Sequence, residues 1–320
     1  MVAGSSVGAL VDAIDSVHPG FRDRVVAAGD LLPSIAVSVD GDIVTHGLDE
    51  PVGPDGEVHF VPALGGGQVT QSDGYARIFE KRGGSYNAAH ALAPAARERE
   101  RALLLERLDL APGVRVLDVP AGGGYVADGL RAIEPRAHVL CVEPAAQFAA
   151  GIRSDFWRAR ARVDQLPLAA GSIDRVASLA GMHHLDDRAA FLAECRRVLR
   201  RGGSLALADA AQSTAVAAFL DGPVDHFSET GHAGRYFARG EAAALLAAAG
   251  FSSVREEHLS YCWSFPDLDT LVRFCRTIFG LVRADLASVE SALRAHFDLQ
   301  VDASGARLPW SLTYASGVAD

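Results

Sequence analysis

Two acids and three glycines, set at the ends of apolar runs, carry the clearest chemical signal in this chain. Residues Val114 to Leu130 read VRVLDVPAGGGYVADGL. An apolar run ends in Asp118, turns through Gly122, Gly123 and Gly124, and enters a helix-like segment. Such a turn lets backbone approach a ligand closely, and the helix start offers free N–H groups. A second acid, Glu143, ends the next apolar run, HVLCVE. An acid at the end of the second strand of an open parallel sheet is placed to accept from both hydroxyls of a ribose. The pair therefore predicts a nucleoside cofactor. A dinucleotide is less well supported, because the third glycine of G-x-G-x-x-G would fall at Val126 or Ala127.

Titratable groups gather further along. His183 and His184 follow the run DRVASLA, and a histidine there can act as general base for a hydroxyl or an acidic carbon. The segment DGPVDHFSETGHAGRY, Asp221 to Tyr236, adds His226, Glu229, His232 and Tyr236. His184 and then His232 are the favoured catalytic bases: the first follows a strand end, the second lies on a covering loop. His226, Glu229 and His232 are spaced i, i+3, i+6, but Gly231 interrupts a helix. They read as pocket or surface polar groups, and no metal site is expected.

A sheet must position these residues. The runs VRVLDV, HVLCVE, DRVASLA and SLALAD alternate with helical stretches, notably 187–201 and 239–249. That alternation predicts a parallel sheet flanked by helices. Helices are also predicted over 74–86 and 94–108, with Tyr75, Phe79, Tyr86 and Asn87 as candidate pocket walls. SVREEHLSY predicts a further strand, and LPWSLTYAS an antiparallel edge strand. Residues 265–297 predict a helical cover, with Trp263, Phe274 and Phe279 packing inward. An acceptor pocket, mostly apolar, is therefore expected under 75–90, 221–236 and part of 263–297. Ahead of all this, residues 7–18 have helical spacing, with Ser6 as N-cap and Pro19-Gly20 as the stop. Strands follow at 35–39 and 58–62, with a hairpin signal at Asp40-Gly41. The Gly-rich stretch 62–73 reads as a break between two parts.

Composition narrows the function. The chain has 320 residues, a formal net charge of -10 and a pI near 5.5. Nucleic acid and anionic membrane are disfavoured as partners, since both want a basic face. No apolar run reaches the length of a membrane span. Cys141, Cys195, Cys262 and Cys275 form no close metal-type pair and read as reduced core residues of a cytoplasmic protein. Lys81 is the only lysine, so no P-loop lysine exists.

Residues 74–320 resemble the class I S-adenosylmethionine (SAM)-dependent methyltransferases, of the type seen in ubiquinone and menaquinone biosynthesis. VLDVPAGGG resembles the first-strand loop of that family, and Glu143 its ribose acid. QLPLAAGSIDRVASLAGMHHL resembles its fourth-strand region, and ECRRVLRRGGSLALAD its helix, glycine turn and fifth strand. The resemblance implies an α/β fold with a Rossmann-like seven-stranded sheet, SAM as cofactor, and methyl transfer to an O, N or C nucleophile of a small-molecule acceptor. It implies a cofactor site made of Asp118, Ala121, Gly122, Gly124, Glu143, Val163, Asp164 and Leu179. Asp118 would fix the loop or attract the cofactor's positive charge, and Glu143 would hold the ribose. Two positions depart from the pattern. Pro120 replaces a glycine, and Arg162 stands where many relatives have Asp, with Asp164 two positions later. These departures leave open an enzyme of this fold that uses SAM without methyl transfer.

Residues 1–67 resemble the ubiquitin-like β-grasp sulfur carriers, such as the small subunit of molybdopterin synthase. The resemblance rests on IAVSVDGD, on GPDGEVHFVPAL and on Gly65-Gly66-Gly67. Carriers of that kind work through a free C-terminal Gly-Gly, whereas here the chain continues past Gly67. The first β-hairpin of the carrier fold is missing ahead of Ser5, so the domain reads as truncated. The expected organisation is a β-grasp domain at 1–67, a linker at 68–73, and a methyltransferase domain at 74–320. The first domain is expected to dock a protein partner. Its release as a sulfur carrier by proteolysis after Gly67 is the alternative, and homodimerisation stays open.

Overall fold

The computed structural model describes residues 4–27, 29–32, 35–40, 42–44, 47–62 and 74–320. The triglycine at 65–67 and the linker at 68–73 lie outside the described residues, so the boundary between the two parts does as well.

The amino-terminal part begins with α1 (Val7–Val17), where the Ser6 side chain accepts from Ala9 N at 3.3 Å. A short α2 (Phe21–Val25) and the two-residue strands β1 (Val26–Ala27) and β2 (Asp30–Leu31) follow. Then β3 (Ile35–Val39), β4 (Asp42–Ile43) and β5 (Val58–Pro62) form an antiparallel sheet in the order β4-β3-β5. The apolar stripe of α1 (Val7, Leu10 and Val11) packs with Val25, Val37 and Val52. Burial of that stripe is what fixes so small a unit.

The larger part opens with two helices, α3 (Gly74–Leu92) and α4 (Glu98–Leu105). Strands and helices then alternate: β6 (Arg115–Asp118), α5 (Tyr125–Ile133), β7 (His138–Val142), a short α6 (Ala146–Ala149), β8 (Trp157–Ala159), β9 (Ile173–Leu179), α7 (Arg188–Val198) and β10 (Leu199–Asp209). After α8 (Ala215–Phe219), α9 (Asp225–Phe227) and α10 (Glu241–Ala248) come β11 (Phe251–Phe265), α11 (Leu268–Ile278), α12 (Leu286–His296), β12 (Gln300–Asp302) and β13 (Gly305–Ala319). Seven strands run in the order β11-β13-β10-β9-β6-β7-β8, with β12 attached to β13 outside that row. From β8 to β10 all pairings are parallel, and β13 is antiparallel to both β10 and β11. This is the mixed seven-stranded, Rossmann-like order expected. The chain leaves β6 on one side for β7 and returns on its other side with β9. Strand order therefore reverses at β6, and ligands in such sheets sit at the carboxyl ends beside that point. Among the described residues no helix is long and apolar enough to cross a membrane.

One expectation needs correction. The segment LPWSLTYAS lies in β13, which is an interior strand and not an edge. It pairs with β10 from Ser204↔Val318 to Asp209↔Thr313, and with β11 along its whole length. Period-two alternation reports which faces are buried, but not whether one or both lateral edges are hydrogen-bonded. The true edge is β11, where Arg255 and Glu257 are exposed, as charge on an open edge should be. The helix predicted over 187–201 ends at Val198, and the glycine turn after it already belongs to β10.

Candidate active site

The carboxyl end of β6 delivers the glycine loop. Pro120, Ala121, Gly122 and Gly123 line a cavity together with Tyr75, Phe148 and Leu179. Beneath the loop Glu143 is fully buried. Its Oε2 accepts from Gly122 N at 2.8 Å and from the Tyr75 hydroxyl at 3.0 Å, and its Oε1 accepts from Ala145 N at 2.9 Å. Burial pushes this carboxyl up to about 7, against the pull of the Ala145 and Gly122 N–H groups. Gly122 has φ +55, and a Cβ there would lie 2.6 Å from the Phe148 ring. Backbone conformation and space both require glycine at this point. Gly124, φ +86, is the N-cap of α5. Pro120 has its own counterpart: a Cβ at Gly181 would lie 2.5 Å from the proline Cγ. The departure from the family loop is thus accommodated by a glycine on the facing segment.

Asp118 ties loop to helix. Its Oδ2 accepts from Ala127 N at 3.0 Å, while its Oδ1 is buried without a partner. Burial raises this carboxyl well above its usual range, with the Ala127 N–H opposing. An orphaned carboxylate oxygen beside a glycine cradle fits a nucleoside cofactor that carries positive charge. Ala121, Gly122 and Leu179 line the cavity, and Glu143 and Asp118 sit behind it, holding Gly122 N and Ala127 N. Val163 and Asp164 are placed differently. Val163 is buried in the core, Asp164 accepts from Arg162 Nε at 2.9 Å, and neither lines this cavity.

A second cavity shares Phe79, Tyr86, Arg97 and Ala180 with the first. Its far wall holds His183, His184, His232 and Asp209, and its floor includes Trp263 and Trp310. A 3-10 turn, Met182–His184, carries two of the histidines off the end of β9. Asp209 ends the neighbouring β10. Its Oδ1 lies 2.5 Å from His183 Nδ1 and accepts from Ala210 N at 2.7 Å, and its Oδ2 accepts from His183 N at 2.9 Å. A carboxylate on Nδ1 places the imidazole proton there and leaves Nε2 as a lone pair. His232 Nδ1 lies 3.1 Å from the Tyr236 hydroxyl, which donates to Asp221 at 2.5 Å. His184 Nδ1 is buried without a partner. Burial, reinforced by His183, His232 and Arg82, holds His184 well below the usual histidine range. His232 is pushed down to about 2 by burial, then by His183 and Arg82. Both shifts favour the neutral imidazole. Ligand nitrogens of His183, His184 and His232 lie within 4.8 Å of one another. His226 and Glu229 stand apart from that group. The His226 ring meets Phe227, and Glu229 pairs with Lys81 at 3.5 Å.

The three covering segments expected from sequence all reach this cavity, through Phe79 and Tyr86, His232, and Trp263 and Phe279. Sequence motifs alone do not single out Asp209, Arg82 or Trp310, and of the histidine pair they favour His184 over the carboxylate-bound His183. For Asp209 and His183 a signal existed: both follow strands at the carboxyl edge of the sheet, where Asp118 and Glu143 also lie.

Comparison with known proteins agrees with this geometry. Residues 117–207 match the family described as "Methyltransferase domain", and residues 2–67 match the ThiS family. A malonyl-[acyl-carrier protein] O-methyltransferase from Geobacter sulfurreducens is 30% identical over 225 residues, covering 62% of this chain and 78% of that protein. A demethylmenaquinone methyltransferase from Corynebacterium urealyticum is 34% identical over 140 residues, covering 42% of this chain and 58% of that one. Among solved structures, a SAM-dependent methyltransferase from Thermotoga maritima aligns with a TM-score of 0.52 at 16% identity, over 77% of this chain and 100% of that chain. At that identity the likeness speaks for the fold alone.

Proposed function

The chain belongs to the SAM-dependent methyltransferases and carries a ThiS-family domain, and on that premise we propose that it methylates an oxygen of a small-molecule acceptor held beside His183. When bound, SAM supplies an electrophilic methyl group on a sulfonium. The chain's own part is to hold, align and deprotonate. Gly122 and Glu143 form the ribose side of the cradle, and Asp118 Oδ1 offers an uncommitted acceptor to positive charge.

The observation that carries the choice of oxygen is the His183–Asp209 pair, 2.5 Å apart and lining the cavity that abuts the glycine loop. A hydroxyl is a poor nucleophile until it loses its proton. Nε2 of His183 takes that proton as the oxygen–methyl bond forms, and Asp209 stabilises the imidazolium. A neutral amine attacks through its own lone pair and needs no base beforehand, whereas an acidic carbon would share the need of a hydroxyl. His184 and His232, favoured from sequence, are in our reading neutral walls that pack the base. The O-methyl transfer named for the Geobacter sulfurreducens relative is in keeping with this choice. The test is a split between rate and binding. Asp209→Asn and His183→Gln should lower turnover and leave the affinity for S-adenosylhomocysteine (SAH) intact. Loss of SAH affinity in step with turnover would make the pair part of the cofactor pocket and end the base assignment.

For the amino-terminal part, residues 1–67 with the linker 68–73, we propose docking to a protein partner while still joined to residues 74–320. The continuous reading through Gly67-Gln68 supports this. Intact mass of the native protein should give the undivided chain. A fragment ending in a Gly67 thiocarboxylate would favour sulfur transfer instead.

A further inference from the structure

Arg82 lies on α3 with only 6% of its surface exposed. Its Nε and Nη1 are buried without a hydrogen-bond partner, and no carboxylate pairs with it among the described residues. Burial lowers its pKa to about 10, which still leaves it charged at neutral pH. A buried guanidinium with no counter-charge is strongly unfavourable, and folds retain one where something else supplies the anion. Arg82 lines the histidine cavity and not the glycine-loop cavity. His184 Nδ1, the other unpartnered group of that wall, lines the same space. The opposite surfaces are flat. Trp263 and Trp310 stack 4.3 Å apart at 27°, and Phe79 and Phe279 extend the aromatic lining.

Resting on the methyltransferase reading above, we infer that the acceptor is a small planar acid whose carboxylate pairs with Arg82 while its hydroxyl faces the histidines. The guanidinium fork matches a carboxylate with two parallel hydrogen bonds. The stacked indoles suit a flat ring. The same charge argument decides against the other use of three clustered histidines. A bare divalent cation there would sit beside an unneutralised guanidinium, and the two carboxylates of the cavity are already committed, Asp209 to His183 and Glu100 to Arg97.

Calorimetric titration of the full chain tests this in two stages. Binding of SAM by the unaltered chain checks the methyltransferase reading by itself, and its absence would sink that reading separately. The SAH-loaded chain is then titrated with 2-hydroxybenzoate and with its neutral amide. The acid should bind at least about tenfold more tightly than the amide, as a charge-assisted pair requires. Arg82→Gln should abolish the preference, and Arg82→Lys should restore part of it. Both variants should keep SAH affinity, which also shows that they fold. Equal binding of acid and amide would overturn the proposal. So would failure of benzoate, 2-hydroxybenzoate and 2-naphthoate alike to bind. A loss of SAH affinity as large as the loss of acid affinity would assign Arg82 to the cofactor instead. Tight zinc binding by the acid-free chain, lost in His184→Ala, would give the cavity to a cation.

Discussion

The two cavities share a wall but are built in opposite ways. The glycine-loop cavity has a local half: Pro120 to Gly123, Tyr125, Val126 and Phe148 come from one strand–helix–strand passage, closed by α3 and the 179–181 segment, and the polar contacts of that half are largely backbone N–H groups meeting Asp118 and Glu143. The histidine cavity is assembled from side chains of α3 and α4, the ends of β9 and β10, the 220–232 segment, β11 and β13. Backbone geometry tolerates many sequences as long as the glycines stay, so one cofactor cradle can serve many enzymes. A cavity of convergent side chains can be rebuilt at each position, and in the function proposed above it is where acceptor choice resides.

Mutations should separate the two. The largest effect is expected from His183→Ala or Asp209→Ala: turnover should fall by roughly 10²–10⁴-fold, the usual contribution of a positioned base. SAH affinity, followed by titration, should barely move, and an equal loss of both would erase the division. Gly122→Ala should do the reverse. It forces a Cβ into left-handed backbone and against the Phe148 ring. SAH affinity should drop by about 1–3 kcal/mol, while turnover at saturating SAM stays near the original value. An unaltered dissociation constant would show that the loop has slack.

Acidity provides a gentler probe. With its carboxyl pushed up to about 7 by burial, Glu143 is protonated below that pH and loses an acceptor. Binding of a ribose diol favours the ionised form and so releases a proton. Affinity for SAH should therefore rise with pH toward about 7 and level off above it. Well below 7 the slope should approach about tenfold per unit. A flat profile from pH 5 to 8 would remove Glu143 from the ribose site. The smallest effect is expected for Tyr75→Phe. Its hydroxyl bond lowers the Glu143 pKa, so its loss should move the midpoint upward while changing affinity at pH 8 by less than about tenfold. A downward move would mean that the tyrosine does not stabilise the carboxylate.

The same contrast governs what could be read from sequence. VLDVPAGGG and Glu143 were legible because turn, helix start and acid are set by spacing within about 30 residues. Phe148, which makes glycine obligatory at 122, was not, since nothing local says which ring will cover the loop. At the histidine wall the segment MHHL announced a base but could not say which ring would meet Asp209. That depends on how the turn Met182–His184 leaves β9 beside β10. Arg82, within EKRGGSY, has the look of a solvated charge. Only the packing of α3 over the sheet turns it inward. LPWSLTYAS reads as a strand, but its alternation is blind to lateral neighbours and does not separate an interior strand from an edge.

That last strand has a consequence for how the molecule comes to be assembled. β13 slots between β10 and β11, both made earlier in the chain, and it brings Trp310 and Leu312 to the histidine cavity. Until it docks, β10 and β11 each present a long row of unpaired N–H and C=O groups to one another across a gap. Such rows are templates for pairing between molecules. Its partners in β10 lie about a hundred residues upstream, a long-range closure of the kind that slows folding. The methyltransferase part is therefore a structure completed from its far end, and the keystone of its sheet is also a wall of its chemistry.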